Sequence, residues 1–169
     1  MLLDIKVFPH PVLRESCRRV TELNEEIRTL IANMIETMNQ APGVGLAAPQ
    51  VGSLFRIVVI NNVEKKNDIF PLINPEIVSM EGSQTAEEGC LSIPGVFINI
   101  KRARSIWVRA LSLDGAAITI EAEGRTAQIV QHEMDHLDGV LFWDRTGKAR
   151  RDLLKKKFIK KMRAGASAA

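Results

Sequence analysis

The sequence predicts an α+β domain in which short antiparallel strands pack around one central helix, with a basic helix at the C-terminal end. Three observations carry this expectation. Apolar residues recur at helical spacing at Ile27, Leu30, Ile31, Met34, Ile35 and Met38, and again at Leu154, Phe158 and Met162. Between these stripes lie short runs rich in β-branched residues, two of them joined by Asp114-Gly115 as a hairpin. The third observation is Gln131-His132-Glu133-Met134-Asp135-His136, which holds two of the three histidines. On a helix, residues four apart share a face, so both imidazoles can point at one ion. Glu133 then stands beside the first ligand, where it can act as general base for a metal-activated water.

Length and composition narrow the remaining classes. A chain of 169 residues, 46% apolar and 25% charged, is one globular domain with enough length for a core. Ile57-Val58-Val59-Ile60 is typical of the longest apolar runs, far short of a membrane span. Asp4 falls where a signal peptide needs unbroken apolar residues. The expectation is a cytoplasmic protein, monomeric and with no membrane partner. In a reducing compartment Cys17 and Cys90 read as a spare thiol and a functional one rather than a disulfide. Charge is unevenly placed. From Arg145 onward ten Lys/Arg face one Asp, whereas the earlier residues carry thirteen Lys/Arg against nineteen Asp/Glu. A basic tail on an acidic body suggests an anionic partner, or else a solvated face.

Taken in order, Lys6 to Arg14 contains Pro9 and Pro11 and reads as extended. Asn24 is a natural N-cap for the first helix, Glu25 and Glu26 favour its positive end, and Pro42-Gly43 stops it. Gly43 to Gly52 reads as a tight turn whose polar member, Gln50, has an amide able to donate into a site. Phe55 to Ile60 is a buried strand, Asn61 to Asp68 a loop, and Phe70 to Met80 further short strands broken by Pro71 and Pro75. Ile106 to Leu113 and Ala116 to Ala122 form the hairpin. The histidine helix runs from about Arg125 to Leu137, with Gly139 as C-cap. The last helix spans about Ala149 to Arg163, and Gly165 to Ala169 reads as a disordered end. Residues 1–147 are thus the expected catalytic body, and 148–169 its basic helix and tail within the same domain.

Two histidines hold a catalytic metal poorly, so a third protein ligand is expected. No His or Glu follows His136, which counts against an ordinary zinc endopeptidase. The ligand therefore comes from upstream. Cys90, in Glu87-Glu88-Gly89-Cys90-Leu91-Ser92, is the leading candidate, and His10 is the only other histidine. A Cys/His/His set leaves one tetrahedral position for water, and its thiolate suits a metal that takes a fifth ligand more readily than zinc. A structural site would instead need Cys17 or His10 as a fourth ligand.

Taken together, Gly43-Val44-Gly45-Leu46-Ala47-Ala48-Pro49-Gln50, Glu88-Gly89-Cys90-Leu91-Ser92 and Gln131-His132-Glu133-Met134-Asp135-His136 resemble the three signature motifs of the bacterial peptide deformylases, in that family's order and separation. The likeness covers most of the chain. It implies hydrolysis of the N-formyl group from the initiator methionine of new polypeptides, with release of formate. Cys90, His132 and His136 would bind the metal, ferrous iron by resemblance, with zinc, nickel or cobalt as substitutes. Glu133 would take a proton from the activated water and deliver it to the leaving amine. The Gln50 amide and the Leu91 backbone N–H would meet the oxyanion. Gly45 and Gly89 match positions where the peptide docks as an added strand. Val44, Glu88, Ile129 and His132 match the surroundings of the methionine pocket, and Arg102 matches an arginine that pairs with Glu88. Arg125 and Gln128 are polar where that family can be apolar near the pocket. The basic helix resembles the family's terminal helix, which implies docking on the ribosome surface beside formyl-Met nascent peptides as the second partner.

Overall fold

Ile57-Val58-Val59-Ile60 is apolar at every position because both faces of its strand are covered. In the computed structural model, which describes residues 1–168, Ile57 and Val59 face Ile27, Ile31, Met34 and Met38, while Val58 and Ile60 face Ala127, Val130, Met134 and Leu137. The strand, β2 (Ile57–Asn61), therefore sits between helix α1 (Glu25–Gln40) and helix α2 (Gly124–Leu137). Asn24 caps α1 by accepting from the Ile27 N–H at 3.0 Å.

The main sheet has the order β1-β2-β3-β6-β7, all antiparallel, with β1 (Gly45–Ala47), β3 (Ile69–Glu81), β6 (Ser105–Leu111) and β7 (Ala117–Glu123). A separate two-stranded sheet pairs β4 (Gln84–Cys90) with β5 (Ile93–Arg102). A third apolar cluster joins this hairpin to the chain ends through Phe8, Phe142, Trp143 and Phe158. Helix α3 (Lys148–Ala168) reaches that cluster through Phe158, with Leu154 and Ile159 beside it.

Several elements differ from their sequence reading. The proline-containing stretch at 69–81 is one strand, not several. Only β2 flanks Pro71, because the partners from β6 begin at Ile73, so the missing N–H leaves no bond unmade on that side. Pro75 falls in the register shift between Ile73 and Glu76, next to Asn74 in the left-handed region. The Asn74 amide compensates by bonding the Val20 N–H and C=O at 2.8 and 2.9 Å. The β4–β5 hairpin was missing from the sequence reading. Its outward positions mix polar Thr85, Glu87, Asn99 and Lys101 with glycines, a proline and an exposed Phe97.

The supposed turn after Gly43 contains β1 and a 3-10 turn, Ala48–Val51. The N-terminal segment is likewise not wholly extended, since Pro11–Arg14 forms a 3-10 turn capped by His10. Met162 is exposed because α3 has by then run past the aromatic cluster. The backbone of the expected disordered end is helical to Ala168, and Ala169 lies outside the described residues. Cys17 is buried and burial pushes its thiol up to about 11, which makes it an inert packing residue.

Candidate metal centre

Helix α2 is buried on every side from Thr126 to Leu137, yet six of those side chains are Gln, His, Glu or Asp. Buried polar groups must find partners. Gln131 does so on the Ala103 N–H and C=O and the Ala127 C=O, and Asp135 does so on Arg102 and Arg145. Two atoms do not: Glu133 Oε2 and His136 Nδ1. The unpartnered carboxylate oxygen points to a ligand or water as its natural companion.

The β4–β5 hairpin carries Cys90 to this helix. The Cys90 thiol, His132 and His136 offer donor atoms that all lie within 4.8 Å of one another, with Cys90 Sγ 3.5 Å from His136 Nε2. Neither Cys17 nor His10 belongs to the group. A thiol and two imidazoles in this compact, largely buried arrangement fit a divalent transition metal and leave a coordination position free.

The two imidazoles differ in protonation. Burial and the nearby His132, Arg102 and Arg14 cations push His136 well below its ordinary range, so its imidazole is neutral. For His132 burial opposes the charge, but the hydrogen bonds to Cys90 and Glu88 and the Glu133 charge outweigh it and raise it to about 10. A ligating imidazole is neutral, so a metal bound here would have to displace that proton. Glu88 orients the ring, since its Oε1 lies 2.8 Å from His132 Nδ1 and turns Nε2 toward Cys90.

Behind Glu88 lies an ion-pair network. Arg102 donates Nε and Nη2 to the two Glu88 oxygens at 2.6 and 2.8 Å and Nη1 to Asp135 at 2.9 Å. Burial works against the Glu88 charge, but the bonds from Arg102 and His132 overcome it and hold the carboxyl down at about 2. The 3-10 turn 48–51 brings in Gln50, whose Oε1 accepts from the Ala47 N–H at 2.9 Å. Its Nε2 donates to Ser92 Oγ at 3.1 Å and lies 3.7 Å from Cys90 Sγ. The N–H groups of Lys6 and Phe8 bind the carbonyls of Gln50 and Ser92, so the N-terminal segment ties both turns together.

Glu133 faces β1. A methyl group on Gly45 would lie 2.7 Å from Glu133 Cγ and 2.8 Å from its Oε1. Gly45→Ala should therefore displace the carboxylate and lower kcat about a hundredfold while the metal content stays near that of the parent. Steady-state kinetics beside metal analysis reads both quantities. Burial, with the Glu88 and Asp135 charges adding to it, raises the Glu133 carboxyl to about 7, the range in which a group both accepts and returns a proton at neutral pH. Beside it opens a narrow pocket of about 40 Å³ between Val44, Glu88, Gln128, Ile129 and His132. Gly89 forms part of the same wall, close under the ring of Phe97.

A family model for polypeptide deformylase matches residues 2–152. The chain belongs to the polypeptide deformylase family. A peptide deformylase from Thermodesulfovibrio yellowstonii is 45% identical over 159 residues, 93% of this chain and 96% of that one. Another, from Alkalilimnicola ehrlichii, is 46% identical over 165 residues, 97% and 93% of the two chains. The crystal structure of a peptide deformylase from Legionella pneumophila superposes with a TM-score of 0.91 at 40% identity, covering 98% of each chain. That of Synechococcus elongatus, in complex with actinonin, gives 0.85 at 38% identity, covering 92% of this chain and 86% of that one. As a deformylase, the chain is a metal-dependent hydrolase that removes the N-formyl group of the initiator methionine from new polypeptides and releases formate. No described helix is long and apolar enough to cross a membrane.

The deformylase fold gathers Cys90, His132, His136, Glu133, Gln50, Leu91, Val44, Gly45, Glu88, Gly89 and Ile129 around one cleft, with Arg102 behind Glu88. Sequence reasoning passed over Asp135, Arg145 and Ser92. Asp135 gave a signal, because an acid inside a helix this buried needs a cation, and Arg102 and Arg145 supply it. Ser92 gave none, since its role depends on a side-chain contact 42 residues away. A larger groove of about 710 Å³ adjoins a different face of α2, between β3 and β5, and includes none of the three donor side chains.

Proposed function

We propose that Cys90, His132 and His136 hold the catalytic metal of this deformylase, natively ferrous iron, and that Glu133 is its general base and acid. The observation that carries this reading is the unpartnered, buried Glu133 oxygen beside three convergent donors. When bound, the ion supplies Lewis acidity that makes a water nucleophilic at neutral pH. Glu133, raised to about 7, takes the proton from that water. As the water oxygen bonds to the formyl carbon, the Gln50 amide and the Leu91 N–H stabilise the developing oxyanion. The C–N bond then breaks, Glu133 returns the proton to the amine, and formate departs. Val44, Glu88, Ile129 and His132 enclose the methionine side chain, while Gly45 and Gly89 admit the peptide backbone between two strands.

A thiolate in the ligand set favours a metal that readily accepts a fifth ligand. Metal analysis of protein purified without oxygen tests this choice. Iron should accompany the protein, and the iron, nickel and cobalt forms should turn over faster than the zinc form. A zinc form at least as fast as the iron form would reject it.

The enzyme acts in the cytoplasm as a monomer, on formyl-Met nascent peptides. Its α3 lies on the ribosome surface through exposed lysines such as Lys156, Lys157, Lys160 and Lys161. Phe158 is packed in the aromatic cluster, so removing 149–169 would disturb the body as well. Changing those four lysines to glutamine is the cleaner test. It should weaken ribosome co-sedimentation, with a shallower salt dependence, and preserve hydrolysis of a short formyl peptide. Undiminished co-sedimentation would count against ribosome docking through this face.

A further inference from the structure

The far end of the pocket beside the metal centre is polar. Along α2, His132, Gln128 and Arg125 occupy one face, seven residues and about 10.5 Å of helix rise from end to end. Their side chains are connected. Glu88 bonds His132 with one oxygen and accepts from Gln128 Nε2 with the other at 3.2 Å. Gln128 is 2% exposed, and its second Nε2 contact is the Glu87 carbonyl at 3.3 Å. Only its Oε1 is left, and this accepts from Arg125 Nη1 at 2.8 Å. That bond fixes the Arg125 guanidinium at the rim of the pocket, where it lines the opening with Val44 and Ile129. Arg125 makes no ion pair among the described residues, so its other N–H groups remain available to a guest.

We infer that Arg125 gives this deformylase a second substrate class: peptides whose formylated first residue is methionine sulfoxide. The inference rests on the reading that the pocket between Val44 and Ile129 receives the first side chain. With the formyl carbon near His132, an extended four-atom side chain runs along α2 toward Arg125. Val44 and Ile129 flank its inner carbons, and its outer end meets the guanidinium. Methionine places its thioether sulfur and terminal methyl there, which use none of the Arg125 donors. Oxidation adds one acceptor oxygen on that sulfur without lengthening the chain. The charged donors then gain a partner, while an apolar rim would leave the oxygen desolvated and unpaired. The reaction itself is unchanged. Water adds to the formyl carbon, the C–N bond breaks, formate and the free amine form, and the sulfoxide is neither oxidised nor reduced.

The test compares kcat/KM for formyl-Met-Ala-Ser and its methionine sulfoxide counterpart, using metal-loaded parent protein and the Arg125→Leu variant. Arg125 is exposed, so the change does not open the core. The parent should cleave the sulfoxide peptide within about tenfold of the methionine peptide. In Arg125→Leu the sulfoxide-to-methionine ratio should fall about tenfold or more. An unmoved ratio, or a parent that scarcely cleaves the sulfoxide peptide, would overturn the inference. Val44→Phe, assayed on formyl-Met-Ala-Ser and formyl-Ala-Ala-Ser, separates this failure from failure of the pocket reading. Selective loss on the methionine peptide supports the pocket even where the Arg125 result is negative. Equal effects on both peptides would remove the pocket reading and the inference with it.

Discussion

Replacing Glu133 with alanine should lower formate release from a formyl-methionyl peptide by about 10²–10⁴-fold and leave the metal in place. The separation of the two effects follows from geometry. Glu133 neighbours His132 in sequence but does not belong to the donor group of Cys90, His132 and His136. Its Oε2 has no protein partner, so the truncation breaks no hydrogen bond to that atom. It also removes a buried group that costs free energy to ionise, so the variant should fold at least as well as the parent. Glu133→Gln keeps the shape and loses the proton transfer, and should be nearly as impaired. Metal content by mass spectrometry, thermal melting and formate release give the three readings. A variant that lost its metal together with its activity would place Glu133 among the ligands instead.

Arg102→Leu carries the largest expected cost in stability. Arg102 is 6% exposed and neutralises Glu88 and Asp135, both buried. Without it Glu88 keeps His132 and Gln128, but its bidentate cation is gone. Breaking a buried pair in this way costs about 3–5 kcal/mol. Metal affinity should fall as well, because Glu88 orients His132.

The pH dependence has a definite sign. The Glu88 carboxyl is held at about 2 when folded, below its unfolded value. Its contribution is therefore fully present above about pH 4.3 and is lost as pH falls toward 2. In Arg102→Leu burial acts with less opposition, the carboxyl titrates higher, and acid unfolding begins at higher pH. Chemical denaturation across pH 2–7 measures the shift. A variant as stable as the parent at every pH would show that the pair contributes little.

How much was legible in the sequence depended on the range of the signal. The α1 stripe and its Asn24 cap are local, and both stand as read. The His132/His136 pair is equally local, since helical spacing alone puts both rings on one face. Cys90 is legible less directly, because two histidines leave a catalytic ligand set incomplete and no His or Glu follows His136. The β4–β5 hairpin was harder, because Gly89, Pro94 and Gly95 punctuate it and β4 carries few β-branched residues, although the alternation Ile98-Asn99-Ile100-Lys101 is a strand signal. The unbroken β3 was hidden by two prolines whose cost vanishes only once the β2 and β6 partners are known. The chain from His132 through Glu88 and Gln128 to Arg125 joins β4 to α2 by side-chain geometry, which no window of sequence reports.

The most direct test of the metal centre as the seat of hydrolysis is formate release from formyl-Met-Ala-Ser during titration of metal-free protein with ferrous iron, without oxygen, with bound metal measured at each step. Activity should rise in proportion to bound iron, level off at a single ion per chain, and disappear on chelation. A chain that binds one ion tightly yet releases no formate in any metal form would contradict it. Such a result would make Cys90, His132 and His136 a structural site.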